Sequence, residues 1–232
     1  VWTWNVVVNG LCQQNALNEA MDIVENMSAR SDVKPDVVTF TTLIRGWCKR
    51  GDMEMATKVF DLASKMNVVP DVVSYTTVIR GWCERGCEDR AIKVMKQMKE
   101  AGVRPNVVTF TTLIRSYCKN KNMSAAMSVL DVMRESGLRA DVRTYTTLMQ
   151  GWIESKKMDR AMDLFKKMKR NKHVRPNIVT YNLLISGWAR QMSNMNKAEK
   201  VMQDLMNDRN VSPNERTFYA LINGYNFLFH ED

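Results

Sequence analysis

The stretch VVTFTTLIRGWCKRGDMEMATKVFDLASKMNVVPD, residues 37–71, is followed at once by a second version of itself, VVSYTTVIRGWCERGCEDRAIKVMKQMKEAGVRPN, residues 72–106. The pattern recurs along the chain with a period of about 35 residues. The prolines keep this period, and each is followed by Asp or Asn: Pro35, Pro70, Pro105, Pro176 and Pro213. A period of this length is typical of an all-α solenoid, in which stacked helix pairs bury their apolar faces against one another.

The period divides the chain into six repeats and the beginning of a seventh. The predicted repeats are 1–36, 37–71, 72–106, 107–141, 142–177 and 178–214, with a partial seventh at 215–232 that holds a first helix and a tail. The extra residues of the first, fifth and sixth repeats fall in connecting loops, where insertions are tolerated.

Each repeat contains two predicted helices. The first begins at a Ser or Thr that we expect to be its N-cap: Thr3, Thr39, Ser74, Thr109, Thr144, Thr180 and Thr217. The second passes through a recurring alanine: Ala20, Ala56, Ala91, Ala126, Ala161 and Ala198. On a helical wheel the first helix of repeat two places Phe40, Leu43, Ile44 and Trp47 on one face, which predicts its core side. The tenth residue of each repeat is Gly or Ser, which predicts close approach between helices.

Composition limits the partners. The chain has 232 residues, 45% of them hydrophobic, and a formal net charge of +9. This charge favours a polyanionic partner, nucleic acid first. No apolar run reaches the roughly 18–20 residues that span a bilayer, so we expect no membrane partner. Because Val1 opens a repeat, we expect the chain to be a piece of a longer precursor.

The cysteines do not predict a metal site. Cys12, Cys48, Cys83 and Cys118 share one repeat position and lie a whole repeat apart, so we expect free buried thiols in a reducing compartment. Cys83 and Cys87 form only half of a zinc site, and neither histidine lies near them in the repeat. The sequence also contains no phosphate loop and no plausible catalytic triad. We therefore predict no cofactor, no small-molecule substrate and no catalysis.

A second stripe on the first helix is mixed in character. In repeat two it consists of Val38, Thr41, Arg45 and Lys49, which are positions 2, 5, 9 and 13 of the repeat. Stacking the repeats aligns six such stripes along one groove.

The recurring pattern VVTF(T/N)xLIxGxCK…A…M…G(V/I)xPD resembles the pentatricopeptide repeat in its plain 35-residue form, over essentially the whole chain. The resemblance implies a right-handed superhelix whose first helices line a concave groove. It also implies that single-stranded RNA lies in this groove, one base per repeat, with its 5′ end toward the N-terminus of the protein.

In the family, the fifth and last residues of a repeat contact the base edge, and the second residues of neighbouring repeats sandwich the base. The implied base-selecting pairs are Asn5 with Asp36, Thr41 with Asp71, Thr76 with Asn106, Thr111 with Asp141, Thr146 with Asn177, and Asn182 with Asn214. The implied stacking residues are Trp2, Val38, Val73, Val108, Arg143 and Val179. For Trp2 the alternative is that it covers an open end of the solenoid.

Hydrogen-bond chemistry gives the last residue of each repeat a base preference. An ionised Asp only accepts hydrogen bonds and suits G and U, whereas Asn can donate and suits A and C. The resemblance adds that Thr at position 5 accompanies purines and Asn pyrimidines. Together they predict 5′-U-G-A-G-A-(C or U)-3′. The competing interpretation is that Asp and Asn only cap helices. The nearby Ser or Thr already offers a cap, however, and capping gives no reason for Asp and Asn to alternate.

Basic residues recur on the same stripe and are predicted to contact phosphates. They are Arg45, Arg80 and Arg115 at position 9, and Lys49, Lys119 and Arg190 at position 13. The alternative is ordinary solubilising charge, since Glu84 and Glu154 interrupt the series at position 13.

The predicted function is therefore sequence-selective binding of single-stranded RNA in organellar RNA processing, stability or translation. The location in a mitochondrion or chloroplast rests on the resemblance alone. The alternative is a protein–protein scaffold, such as a subunit of an organellar ribosome or another large ribonucleoprotein. The uniform Thr or Asn series at position 5 disfavours it.

Overall fold

The computed structural model describes residues 2–29, 34–171, 173–191 and 194–229, without the side chains of residues 2, 28–29 and 227–229. Within these ranges the chain forms thirteen α-helices and no β-strand. They are α1 (Trp2–Gln13), α2 (Leu17–Ala29), α3 (Val37–Arg50), α4 (Met53–Lys65), α5 (Val72–Glu84), α6 (Glu88–Glu100), α7 (Val107–Lys119), α8 (Met123–Glu135), α9 (Val142–Glu154), α10 (Met158–Arg170), α11 (Ile178–Ala189), α12 (Met195–Met206) and α13 (Glu215–Phe229).

The helices form two compact units, residues 1–116 and 117–232. In the first unit, α1, α3 and α5 stack in chain order, and α2 and α4 each pack on the first helix before and after them. In the second unit, α9, α11 and α13 stack in the same way, and α10 and α12 occupy the corresponding second layer. This is the stacked helix-pair architecture that the period predicts.

The core is the predicted face of the first helices. Phe40, Leu43, Ile44 and Trp47 are all buried, as are the residues at the same positions of α5. The recurring alanines of the second helices are fully buried as well. Aromatic side chains join neighbouring repeats edge to face, with 4.7 Å between the ring centroids of Phe60 and Tyr75 and 5.2 Å between those of Phe165 and Tyr181.

The small residue at position 10 permits this packing, as predicted. A Cβ placed on Gly151 would lie 2.7 Å from Cys118 Sγ and 2.8 Å from Cys118 Cβ. A Cβ on Gly81 would lie 2.8 Å from Cys48 Sγ. The recurring cysteine of one repeat therefore occupies the space that the glycine of the next repeat leaves empty.

The cysteines are free thiols. Cys83 and Cys118 are buried, whereas Cys12 and Cys48 are half-buried and Cys87 is exposed. Burial raises the pKa of Cys48, Cys83 and Cys118 to about 12. The described residues contain no group of three or more His, Cys, Asp or Glu that could hold a metal ion. None of the helices in the described ranges is both long and apolar enough to cross a membrane.

The prediction that Ser or Thr caps the first helices is wrong. α3 begins at Val37, so Thr39 is its third residue and Asp36, the last residue of the preceding repeat, is the N-cap. Asp71, Asp141 and Asn177 cap α5, α9 and α11 in the same way. The extended backbone of these residues lets the side-chain oxygen reach the N–H of the third helical residue.

We expect Gly151→Ala to lower the free energy of unfolding by about 1–3 kcal/mol, because the added methyl overpacks against Cys118. Gly10→Ala is the matched control, since a Cβ at this equivalent position of α1 meets no atom within 4 Å. It should raise stability by up to about 1 kcal/mol through helix propensity. Urea denaturation followed by circular dichroism measures both. Equal effects of the two substitutions would contradict the close-approach explanation.

Candidate nucleic-acid interface

The last residue of each repeat, here called the cap residue, uses one side-chain oxygen to start the next first helix. In all six cases its Oδ1 accepts a hydrogen bond from the backbone N–H of the third helical residue, at 2.7–3.2 Å. Because that donor requires an oxygen, an Asn cap residue must turn its Oδ1 toward the helix and its Nδ2 away. Asp and Asn therefore make the same cap and differ only in the remaining atom, which is Oδ2 or Nδ2.

The hydroxyl of the third helical residue, here called the third-residue hydroxyl, joins the cap residue. It lies 2.8–3.2 Å from Oδ1 in all six cases. In α3, α7, α11 and α13 the cap residue also donates its own N–H to this hydroxyl, as in a capping box. The Ser and Thr that the sequence suggested as caps thus orient the cap residue instead.

The same hydroxyl also contacts the position-5 residue of the preceding repeat. Thr41 Oγ1 lies 2.7 Å from Ser74 Oγ, and Thr76 Oγ1 lies 2.8 Å from Thr109 Oγ1. Where position 5 is Asn, its Oδ1 accepts from the hydroxyl, at 2.5 Å for Asn5 and 2.6 Å for Asn182. In these four repeats, position 5 and the cap residue belong to one hydrogen-bonded network.

Sequence reasoning missed this third member of the network. The signal was present, because a Ser or Thr stands three residues after every Asp or Asn at the end of a repeat.

Asn and Thr at position 5 adopt different positions. The Nδ2 of Asn5 donates to Asp36 Oδ1 and Oδ2 at 3.2 and 3.3 Å, and the Nδ2 of Asn182 donates to Asn214 Oδ1 at 3.0 Å. The shorter Thr side chain instead donates back to its own helix, from Thr41 to Val37 O at 2.7 Å and from Thr146 to Val142 O at 2.6 Å. Asn therefore extends toward the cap residue, whereas Thr stays close to its helix.

The network keeps Asp36 ionised. Partial burial, the largest single influence, raises the pKa of the Asp36 carboxyl. Hydrogen bonds from the backbone and hydroxyl of Thr39, from Asn5 and from the Val38 N–H together outweigh it, and the pKa lies below the usual value for Asp. At neutral pH the Asp36 carboxylate can therefore accept hydrogen bonds but cannot donate them.

The predicted stacking valines lie in solvent. Val38, Val73, Val108 and Val179 are 59%, 52%, 51% and 58% exposed, whereas the core residue Val78 of α5 is buried. An apolar side chain exposed at the same position of several repeats is a feature of binding surfaces. Arg143 is exposed at the same position of its repeat. The side chain of Trp2 lies outside the described residues.

Seven of the predicted site residues line one cleft of about 410 Å³ in residues 1–116. Val73 and Val108, the second residues of repeats three and four, line it together with Thr76 and Asn106, the base-selecting pair of repeat three. Arg45, Lys49 and Arg80 complete this set. The structure therefore brings all three predicted kinds of contact together around one repeat.

The structure also gives the location and exposure of the remaining predicted site residues. Thr111 lies buried on α7, Asp141 caps α9, Thr146 is half-buried on α9, and Asn177 caps α11. The predicted phosphate-contact residues are all exposed, and none forms an ion pair with another of the residues that the structure describes: Arg45, Lys49, Arg80, Arg115, Lys119 and Arg190. Such free cations remain available to an anionic ligand.

The repeats match a known family model. The model of the PPR repeat family matches residues 1–49, 35–84, 70–119, 105–154, 140–190 and 176–226. The chain belongs to the pentatricopeptide repeat family. Two pentatricopeptide repeat-containing proteins of Arabidopsis thaliana are similar to it, at 39% identity over 51 residues and 32% over 57 residues. These matches span 22% and 25% of this chain, but only 7% and 11% of the relatives' own lengths.

Solved pentatricopeptide repeat structures share the fold. The crystal structure of PPR10 in complex with an 18-nt psaJ RNA element superposes with a TM-score of 0.73 at 25% identity, over 99% of this chain and 33% of that chain. A crystal structure of PPR10 from maize also superposes on this chain, with a TM-score of 0.67. The PPR domain of Arabidopsis thaliana protein-only RNase P 1, in complex with tRNA, superposes at 20% identity with a TM-score of 0.55, over 79% of this chain and 95% of that domain. The predicted all-α pentatricopeptide repeat solenoid is thus confirmed.

The shared Oδ1 cap predicts how substitutions at Asp71 affect stability. Asp71→Ala should lower the free energy of unfolding by about 0.5–2 kcal/mol, because the Ser74 N–H loses its acceptor. Asp71→Asn should change it little, since Asn and Asp are nearly equivalent caps. Thermal and urea unfolding measure both variants. An Asn variant as unstable as the Ala variant would contradict the assignment of the cap to Oδ1.

Proposed function

We propose that this pentatricopeptide repeat chain is a non-catalytic, sequence-selective binder of single-stranded RNA that reads one base per repeat. The proposed target is 5′-U-G-A-G-A-(C or U)-3′ across repeats one to six. The observation that carries the proposal is the cap residue, whose Oδ1 is committed to the helix and whose other atom is an acceptor in Asp and a donor in Asn.

The remaining atom supplies the Watson–Crick contact. Oδ2 of Asp71 can accept from the ring N–H of G or U, whereas Nδ2 of Asn106 can donate to the ring nitrogen of A or C. Both side chains are exposed, so this atom is accessible to a base. Helix capping alone explains why Asp or Asn is present, but it does not explain which of the two stands in each repeat.

Position 5 supports the proposed choice between purine and pyrimidine. Asn5 and Asn182 extend to the cap residue and leave less space beside it, which favours the smaller pyrimidines. Thr41, Thr111 and Thr146 are held back on their own helices by hydrogen bonds of 2.6–2.7 Å, which leaves space for a purine.

Repeat three illustrates a complete base site. Val73 and Val108 offer two apolar surfaces for the faces of the base, and Thr76 and Asn106 meet its edge in the same cleft. Arg45 and Arg80 supply unpaired positive charge for the adjacent phosphates. Stacking, edge contacts and phosphate neutralisation are the three sources of affinity for single-stranded RNA.

The relatives support RNA as the ligand, since PPR10 was crystallised with an RNA element and matches this chain over 99% of its length. We further propose a role in RNA processing, stability or translation in a mitochondrion or chloroplast, which rests on the family resemblance alone.

The base-reading mechanism predicts a switch of preference at one nucleotide. The chain should bind uridine-flanked 5′-UGAGAC more tightly than 5′-UAGAGC, in which G and A are exchanged. Asp71→Asn should move the preference at the second base from G to A, with a change on the order of tenfold or more in relative affinity. Fluorescence anisotropy with labelled RNA measures these affinities.

Asp52→Asn is the matched control for this switch. Asp52 caps the second helix α4 by accepting from the Met55 N–H, so the same chemical change occurs away from the base-selecting residues. It should leave the base preference unchanged. If the chain instead bound both RNAs equally, and added salt abolished both interactions to the same extent, binding would be explained by the basic surface alone and not by base reading. A protein–protein scaffold would then become the better function.

The third-residue hydroxyl should contribute to the same selectivity. Ser74→Ala keeps the backbone cap but removes the hydroxyl that lies between Thr41 and Asp71. We expect the preference for G over A at the second base to fall by about two- to tenfold, as for the loss of one hydrogen bond. Preferences at the other bases should remain. Ser64→Ala, on the exposed face of α4, is the control, and an equal effect of both variants would exclude a positioning role for Ser74.

A further inference from the structure

The second unit contains a larger cleft, of about 830 Å³, that holds none of the predicted base-selecting residues. It is formed by the beginning of α8, the turn from α9 to α10, and the length of α10, and is here called the α10 cleft. Its lining includes six cations: Lys121, Lys157, Arg160, Lys166, Lys167 and Arg170. We propose that the α10 cleft binds the phosphate backbone of an RNA segment other than the six bases read by the repeats.

The charge of the α10 cleft is strongly unbalanced. Asp163 is the one acidic side chain in its lining, and none of the six cations forms an ion pair with any other residue in the described ranges. Lys166 and Arg170 are one turn apart on α10, where like charges destabilise a helix by about 0.2–0.5 kcal/mol. An unneutralised cluster of this kind is stabilised by an anionic ligand.

The repeat architecture does not require this charge. The second helix of repeat one, α2, contains Glu19, Asp22 and Glu25 and no basic residue, yet it occupies the corresponding place in its helix pair. The second helix α6 also has four basic residues, but three acidic residues offset them, whereas α10 has five basic residues and only two acidic ones. The excess of positive charge on α10 is therefore not required by the fold.

The N-cap position of α10 is occupied by a cation. Asp52 and Asn122 cap α4 and α8 with their side chains, whereas Lys157 in α10 makes no side-chain cap hydrogen bond. Cys87 in α6 and Asn194 in α12 also make none, but neither is charged. A cation at the positive end of a helix is unfavourable, and the uncapped N–H groups there are suitable donors to a phosphate.

A buried hydroxyl at the same end of the cleft points to the same ligand. Ser155 Oγ lines the α10 cleft, is shielded from solvent and has no hydrogen-bond partner among the residues that the structure describes. Buried polar atoms of this kind normally have a partner, and rotation of the Ser155 side chain toward the cleft would let a phosphate oxygen provide one.

An aromatic side chain in the cleft favours RNA over an acidic protein. Trp152 is half-buried in the lining, and Lys157 Nζ lies 5.6 Å from the centroid of its ring. Cations combined with an aromatic platform for a base are typical of sites for single-stranded nucleic acid. The choice of RNA as the polyanion also rests on the proposed function, whereas the anionic character of the ligand does not.

The test compares two labelled RNAs that contain the same hexamer, a 10-mer and a 30-mer with longer flanks. Lys166→Gln combined with Lys167→Gln should weaken binding of the 30-mer about tenfold at 0.1 M salt and leave the 10-mer within about twofold. The slope of log affinity against log salt for the 30-mer should fall by about 1.4, which corresponds to two phosphate contacts with a single strand.

Lys93→Gln combined with Lys96→Gln on α6 is the matched control, since both lysines are exposed and lie outside the α10 cleft. Lysine acetylation of the unmodified protein, read by mass spectrometry, provides a second measurement that needs no variant. Lys166 and Lys167 should be protected by the 30-mer and not by the 10-mer. Equal salt slopes for the two double variants, or protection by poly-glutamate but not by RNA, would overturn the proposal; the latter result would indicate an acidic protein partner.

The two proposals can fail separately. Loss of base preference on the 10-mer with continued protection of Lys166 and Lys167 by the 30-mer would overturn base reading and support the α10 cleft. A base switch with Asp71→Asn but no lysine protection would support base reading and overturn the α10 cleft.

Discussion

In six of the first helices, the hydrogen bond from the third residue to Oδ1 of the preceding Asp or Asn organises the predicted base-selecting residues. It fixes where the helix begins, and it fixes the orientation of a side chain that stands at the junction of two repeats. The third-residue hydroxyl then joins this side chain to position 5 of the preceding repeat. A local capping interaction thus becomes a contact between neighbouring repeats. It leaves one polar atom of the cap residue free for a ligand in repeats two to six, whereas in repeat one Asp36 Oδ2 also accepts from Asn5 Nδ2.

Much of the fold follows from the sequence, because the period and the helical wheel depend only on spacing. Phe40, Leu43, Ile44 and Trp47 are buried as predicted, since their spacing places them on one helix face. The cap could not be identified in this way. Asp and Thr are both good N-caps, so residue preference alone does not decide between Asp36 and Thr39. The N-cap is the residue at which the extended backbone changes to helix, and here that residue is Asp36.

The exposed valines at position 2 show that the first helices present an apolar surface to solvent as well as a core face. Val38 stands one residue before the buried Thr39 and two before the buried Phe40, so the helix alternates within one turn between core contacts and a solvated apolar surface. The α10 cleft has a different origin. Its lysines and arginines are visible in the sequence, but Lys121 and Trp152 join them only through the packing of separate helices, so helical periodicity alone could not have revealed it.

Stability and base choice are separable at the cap residue but not at position 5. Exchanging Asp and Asn alters only the atom that faces away from the helix, so the proposed target sequence can change without weakening the cap. Exchanging Thr and Asn at position 5 removes or creates hydrogen bonds, because Thr41 bonds its own helix whereas Asn5 bonds Asp36. Changes in proposed specificity between G and A should therefore perturb the fold less than changes between purine and pyrimidine. The physical reason is that a position-5 Thr such as Thr41 does not bond the cap residue directly, whereas Asn5 donates to both carboxylate oxygens of Asp36, so any change at that junction rebuilds the contact between neighbouring repeats.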